Sequence, residues 1–166
     1  ARCLALGQAV GRFLAHEPRR TLLIGSGGLS HEPPVPTLAH PDPAVRERIT
    51  VPTVPTAAER DAKTRRVMAA GVALAAGDPS IKPLNAGWDA TWMDAIESGR
   101  LETLTALSEE GITRDAGMSG HESKTWLLAR AAMPAGPLTT GFRWYRDIPE
   151  LVAGFGLLFQ HTLETR

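Results

Sequence analysis

The sequence predicts an α/β fold, a mixed sheet flanked by helices. Two observations carry this reading. An amphipathic segment is followed, after a short link, by the apolar run Leu22-Leu23-Ile24 and then by a glycine-rich loop, the order of helix, strand and functional loop found in α/β sheets. Downstream, segments of helical periodicity alternate with Gly and Pro stops, and a second apolar run, Leu151 to Phe159, lies near the end.

Each element follows from local chemistry. Leu4, Leu6, Val10, Phe13 and Leu14 recur at helical spacing and predict a first helix ending near His16, before Pro18. Thr21 to Ile24 has the length and composition of a buried strand. Gly25, Gly27 and Gly28 then break it, and three glycines in four residues allow close approaches that a Cβ would block. His31 follows, and Pro33, Pro34 and Pro36 stiffen the exit. Residues 37–55 read as a Pro-rich surface excursion, a lid or a subunit contact, with room for one short helix around Ala44–Ile49.

Thr56-Ala-Ala-Glu59 is a capping box and opens a helix over Ala57–Ala76, which Gly77-Asp78-Pro79 stops. Asn85 caps a helix over Ala86–Ser98, and Gly99 ends it. Trp88, Trp92 and Ile96 are spaced by four on that helix, a stripe that reads as core rather than as an aromatic substrate wall. A helix is expected over Leu101–Glu109, a turn region over Gly111–Gly120, and a helix from Ser119 to about Met133. Phe142, Trp144 and Tyr145 crowd together ahead of the closing apolar run. Gly154 and Gly156 interrupt that run, and periodicity leaves it open between strand and buried helix.

The 166 residues suffice for a single domain over 1–166, or for the C-terminal portion of a larger catalytic domain. Lys+Arg and Asp+Glu both number 18, and the basic residues are scattered, so no nucleic-acid partner is expected. One cysteine, Cys3, excludes an intrachain disulfide and fits a reducing, cytoplasmic setting. No apolar run approaches the roughly 20 residues that span a bilayer, so no membrane partner is expected. The chain opens on Ala-Arg-Cys-Leu without Met and already in helical register, which reads as a piece of something longer.

Polar chemistry concentrates at Ser30-His31-Glu32 and at His121-Glu122. An iron(II) oxygenase site of the familiar kind uses two histidines and a carboxylate. The five histidines here, His16, His31, His40, His121 and His161, form no H-x-H or H-x-x-x-H pair, so spacing alone yields no metal motif. Glu122 stands three residues after Ser119 and completes an S-x-x-E capping box, which competes with any ligand role. Ser30 sits in no G-x-S-x-G elbow, and the loop lacks G-x-G-x-x-G spacing.

Two motifs taken together change that balance. Gly25-Ser-Gly-Gly-Leu-Ser-His-Glu-Pro-Pro-Val-Pro36 resembles the signature loop of the class III extradiol ring-cleavage dioxygenases, and His121-Glu-Ser-Lys-Thr-Trp126 resembles a second segment of that family. Pro83-Leu-Asn85, Trp88-Asp89, Met93, Tyr145-Arg-Asp-Ile-Pro-Glu150 and Ala153-Gly-Phe-Gly156 extend the similarity over nearly the whole chain, in order. The resemblance implies the C-terminal part of that fold and an Fe(II)-dependent enzyme. Such an enzyme would open the ring of a catechol carrying a propionate or acrylate side chain, using O₂. It places His31 at the catalytic acid/base position and Glu122 at the carboxylate iron ligand. It also implies a homo-oligomer. The family's two iron-binding histidines and a second catalytic histidine lie in an N-terminal half that this chain lacks, so the chain alone is expected to bind iron poorly and to be inactive, and to expose apolar surface. The alternatives are a non-catalytic binding or assembly module and a related dioxygenase for another aromatic diol.

Overall fold

A computed structural model describes residues 2–51 and 53–162. Ala1, Pro52 of the proline-rich excursion, and residues 163–166 of the expected domain lie outside the described residues. The helices are α1 (Arg2–Leu14), α2 (Pro43–Thr50), α3 (Ala57–Ala75), α4 (Ala86–Ser98), α5 (Leu101–Thr105), α6 (Glu109–Ala116) and α7 (Lys124–Ala132), with a 3₁₀ turn at Ser119–Ser123 leading into α7. Strands β1 (Thr139–Ile148) and β2 (Ala153–His161) are joined through a 3₁₀ turn at Pro149–Leu151. Helices packed on a small antiparallel sheet thus make up the α/β architecture among the described residues.

Helix α4 is the central support. Its Trp92, Met93, Ala95 and Ile96 are buried with Leu29, Leu101, Leu104 and Leu127. Trp88 stacks on Trp92 at a centroid distance of 5.0 Å, so the tryptophan stripe is core, as the spacing implied. The Asn85 side chain accepts the Trp88 N–H at 3.0 Å, which satisfies a donor that the first helical turn leaves unpaired. Gly99 closes the helix at φ +75°. The capping box of Thr56 and Glu59 opens α3 as expected.

β1 and β2 pair antiparallel, with Trp144 opposite Leu157 and Tyr145 opposite Gly156. Period-two alternation divides the ribbon into two faces. The inner face meets α4: Arg143 pairs with Asp94 and Glu97, Gln160 donates to the Glu97 carbonyl at 2.9 Å, and Leu158 packs against the core. The outer face carries Phe142, Trp144, Phe155, Leu157 and Phe159, each between 39% and 59% exposed.

Four expectations change. Thr21 to Ile24 is not a strand: β2 pairs with β1, no other strand lies beside this segment among the described residues, and Leu22 and Ile24 are 72% and 77% exposed. A strand needs a hydrogen-bonding neighbour, and apolar composition cannot supply one. The helix expected over Leu101–Glu109 ends at Thr105. Part of the expected turn region, in turn, is α6, because the Ser108 side chain accepts the Gly111 N–H at 2.9 Å and caps a new helix. Leu151 to Phe159 resolves as the turn into β2 and most of that strand. Finally, the Ser119–Glu122 capping box does not form, since no side chain caps the 3₁₀ turn.

Candidate active site

The glycine loop lies directly on the start of α7. The Thr125 hydroxyl donates to the Ser26 carbonyl at 2.7 Å, and the Trp126 indole N–H donates to the Gly27 carbonyl at 3.0 Å. The packing is tight enough to require glycine: a Cβ on Gly27 would stand 2.4 Å from the Glu122 carbonyl oxygen, and one on Gly28 would stand 2.6 Å from the His31 ring. The three-glycine signature is therefore a contact requirement. It lets the loop cross the backbone of Glu122 and lets His31 fold back over Gly28.

His31 is held from both sides. Its backbone N–H donates to the Ala116 carbonyl at 2.8 Å, and an antiparallel bridge joins it to Ala153 at the start of β2. Its Nδ1 lies 2.9 Å from the Leu29 carbonyl oxygen. A carbonyl only accepts, so Nδ1 carries the proton, and in the neutral ring Nε2 is the basic nitrogen. That Nε2 faces Glu122 Oε2 at 3.7 Å. The same Glu122 oxygen accepts the Gly28 N–H at 3.3 Å. The His31 side chain is 12% exposed and that of Glu122 is 58% exposed, so a sheltered imidazole stands beside an open carboxylate.

The structure brings together His31 and Glu122, the two residues singled out in sequence. Their neighbour His121 is turned away. At three residues per 3₁₀ turn, consecutive side chains point about 120° apart. His121 instead accepts from Lys124 Nζ at 2.9 Å through Nδ1 and meets the Thr113 hydroxyl at 2.8 Å through Nε2. His40 accepts the Asp42 N–H, and the His161 ring lies 5.9 Å from Phe159; neither belongs to this site.

Beneath the loop lies a buried network that the sequence reading named only in passing. Asp89 is fully buried. Its Oδ1 accepts the Ser30 N–H at 2.7 Å, and its Oδ2 accepts the Ser30 and Tyr145 hydroxyls, each at 2.7 Å. The Ser30 hydroxyl also accepts the Asn85 N–H at 2.9 Å. Burial pushes the Asp89 carboxyl above its usual range, against the opposing pull of the Ser30 and Tyr145 hydrogen bonds. Burial first, and then the bond to Asp89, also raises the Tyr145 phenol. One signal was available in the sequence: Asp89, Met93 and Ile96 follow helical spacing, which puts a carboxylate on the buried face of α4.

A metal needs more donors than this. Among the described residues no three His, Cys, Asp or Glu side chains converge to hold an ion. Glu122 offers one open carboxylate, while the Asp89 oxygens are taken up by hydroxyl and amide donors. The set of two histidines and a carboxylate is not completed by these residues. What they can do by themselves is hold one imidazole in a fixed tautomer, with its proton-accepting nitrogen toward the exposed Glu122 carboxylate.

The chain belongs to a family of ring-opening dioxygenases: residues 1–156 match the catalytic LigB subunit of aromatic ring-opening dioxygenase. Curated relatives narrow the likeness. The chain is 64% identical over 162 residues to a 2,3-dihydroxyphenylpropionate/2,3-dihydroxicinnamic acid 1,2-dioxygenase of Comamonas testosteroni, covering 97% of this chain and 50% of the relative. Proteins of the same name from Burkholderia vietnamiensis and Mycobacterium ulcerans are each 46% identical, over 168 and 157 residues, covering 99% and 94% of this chain and 53% and 50% of theirs. The chain spans about half the length of the curated relatives it matches.

Proposed function

We propose that this chain is the C-terminal part of an Fe(II)-dependent extradiol dioxygenase that uses O₂ to open the ring of 3-(2,3-dihydroxyphenyl)propionate or its cinnamate analogue. The observation that carries the reading is that His31, on the glycine-rich loop, faces Glu122, on the 3₁₀ turn before α7, in a chain of this family. His31 is the acid/base: its Nδ1–H is committed to Leu29, which leaves Nε2 to take a proton from the diol and to return one. Glu122 is the carboxylate ligand, and its half-open position suits that task. The remaining iron ligands come from an N-terminal half, and the full-length protein assembles as a cytoplasmic homo-oligomer. No helix among the described residues is long and apolar enough to cross a membrane, which is compatible with that setting.

The test is anaerobic reconstitution with Fe(II), followed by aerated substrate and detection of the yellow ring-fission product. The expected result is no colour from this chain alone and colour once the N-terminal half is supplied. Colour from the chain alone would place the whole site within these residues and overturn the division of labour. No colour in either case would overturn the proposed activity.

A further inference from the structure

The Asp89 network touches His31 in a specific way. The Leu29 carbonyl that accepts His31 Nδ1–H and the Ser30 N–H held by Asp89 belong to the same peptide unit. That unit is planar and trans, so its N–H and C=O point in opposite directions from one rigid plate. Fixing one end fixes the other.

We propose that Asp89 is the positioning carboxylate of His31, acting through the Leu29–Ser30 peptide to hold the imidazole with its Nδ1 protonated and its Nε2 toward Glu122. The inference rests on the reading that His31 is the acid/base. Several features support it. Asp89 grips Ser30 twice, at the amide and at the hydroxyl, so the peptide can neither rotate nor slide. The N–H of Asn85, the cap of α4, and the Gly154 N–H of β2 hold the same residue, at the Ser30 hydroxyl and carbonyl, 2.9 Å each. No Lys or Arg pairs with Asp89 among the described residues, so its hydrogen bonds are what compensate its burial. A carboxylate on the N–H end of a peptide also polarises the carbonyl at the other end, because hydrogen bonds in a chain strengthen one another. The geometry is that of an acid orienting a histidine, with one peptide unit placed between them.

The experiment reads the ring nitrogens of His31 by ¹⁵N NMR of this chain in alkaline buffer, a measurement that needs neither iron nor substrate. The unaltered chain should show the Nδ1–H tautomer, with the Ser30 amide protected from exchange. Asp89→Asn should let the Nε2–H tautomer appear while the circular dichroism spectrum stays the same. Tyr145→Phe removes a hydrogen bond from the same carboxylate but leaves both Ser30 contacts; it should lower the melting temperature and keep the tautomer. A folded Asp89→Asn chain still wholly Nδ1–H would overturn the proposal. So would tautomer loss in Tyr145→Phe equal to that in Asp89→Asn, which would reduce Asp89 to a stabilising group. If Asp89→Asn does not fold, a Ser30 amide exchanging as freely as a loop amide in the unaltered chain overturns it instead. Because the spectrum is independent of turnover, failure of the dioxygenase activity would leave this result standing, and the reverse also holds.

Discussion

Gly27 lies against the backbone of Glu122: a Cβ at residue 27 would stand 2.4 Å from the Glu122 carbonyl oxygen and 2.7 Å from its carbonyl carbon. The obstacle is main chain, which cannot swing aside as a side-chain tip can. Gly27→Ala should therefore push the loop off the start of α7, at a cost on the order of 1–3 kcal/mol, the range typical of overpacking. Urea unfolding measures the cost. An unchanged midpoint would show that the two segments part freely and that the contact is not what selects glycine here.

The two site residues separate by their readouts. In the full-length protein, His31→Ala should lower ring cleavage by about 10²–10⁴-fold, the usual worth of a positioned acid/base, and keep its iron. Glu122→Ala should lose iron instead. Metal analysis beside turnover distinguishes them, and a Glu122→Ala protein with full iron and only a lower melting temperature would remove Glu122 from the ligand set.

The Tyr145 phenol provides a pH signature. Burial and the Asp89 bond raise it in the folded chain, so the folded state keeps a proton that the unfolded state releases near the ordinary phenol value of about 10. Its contribution is fully present below that value and declines as pH rises above it. Chemical denaturation from pH 8 to 11 should show a steeper alkaline loss in the unaltered chain than in Tyr145→Phe. Parallel curves would refute the assignment.

The outer face of the β1–β2 ribbon exposes Phe142, Trp144, Phe155, Leu157 and Phe159 together. Apolar patches of this kind seldom stay bare in solution. This chain by itself should associate with concentration in sedimentation velocity, and Leu157→Lys should weaken that association without lowering the melting temperature. A monomer at all concentrations would show that the face needs no cover.

Much of this was legible in the sequence wherever the cause was local. The caps of α3 and α4, the Gly99 stop and the tryptophan stripe depend on residues a few positions apart, and they form as read. The segment 21–24 has a strand's composition without being one, because a strand is a relation between two stretches of chain, and composition describes only one. Glu122 illustrates the same limit from the other side. Its spacing from Ser119 suggested a cap, yet its carboxylate reaches Gly28 and His31, from a part of the chain that no local pattern mentions. Asp89 was hidden for a related reason: its partners Ser30 and Tyr145 come from the loop and from β1, far apart in sequence.

The bridge between His31 and Ala153 carries a consequence for the order of assembly. The loop that presents the histidine is among the first parts of this chain to be made, and the strand that fixes it is among the last. A chain still emerging from the ribosome can hold the Leu29–Ser30 peptide on Asp89 of α4, but the loop lacks its tie to Ala153 until the β1–β2 hairpin closes over it. Contacts this distant in sequence are slow to form, because the chain must first give up the freedom of everything between them. The His31–Ala153 pairing is therefore a late step in closing the loop onto the sheet.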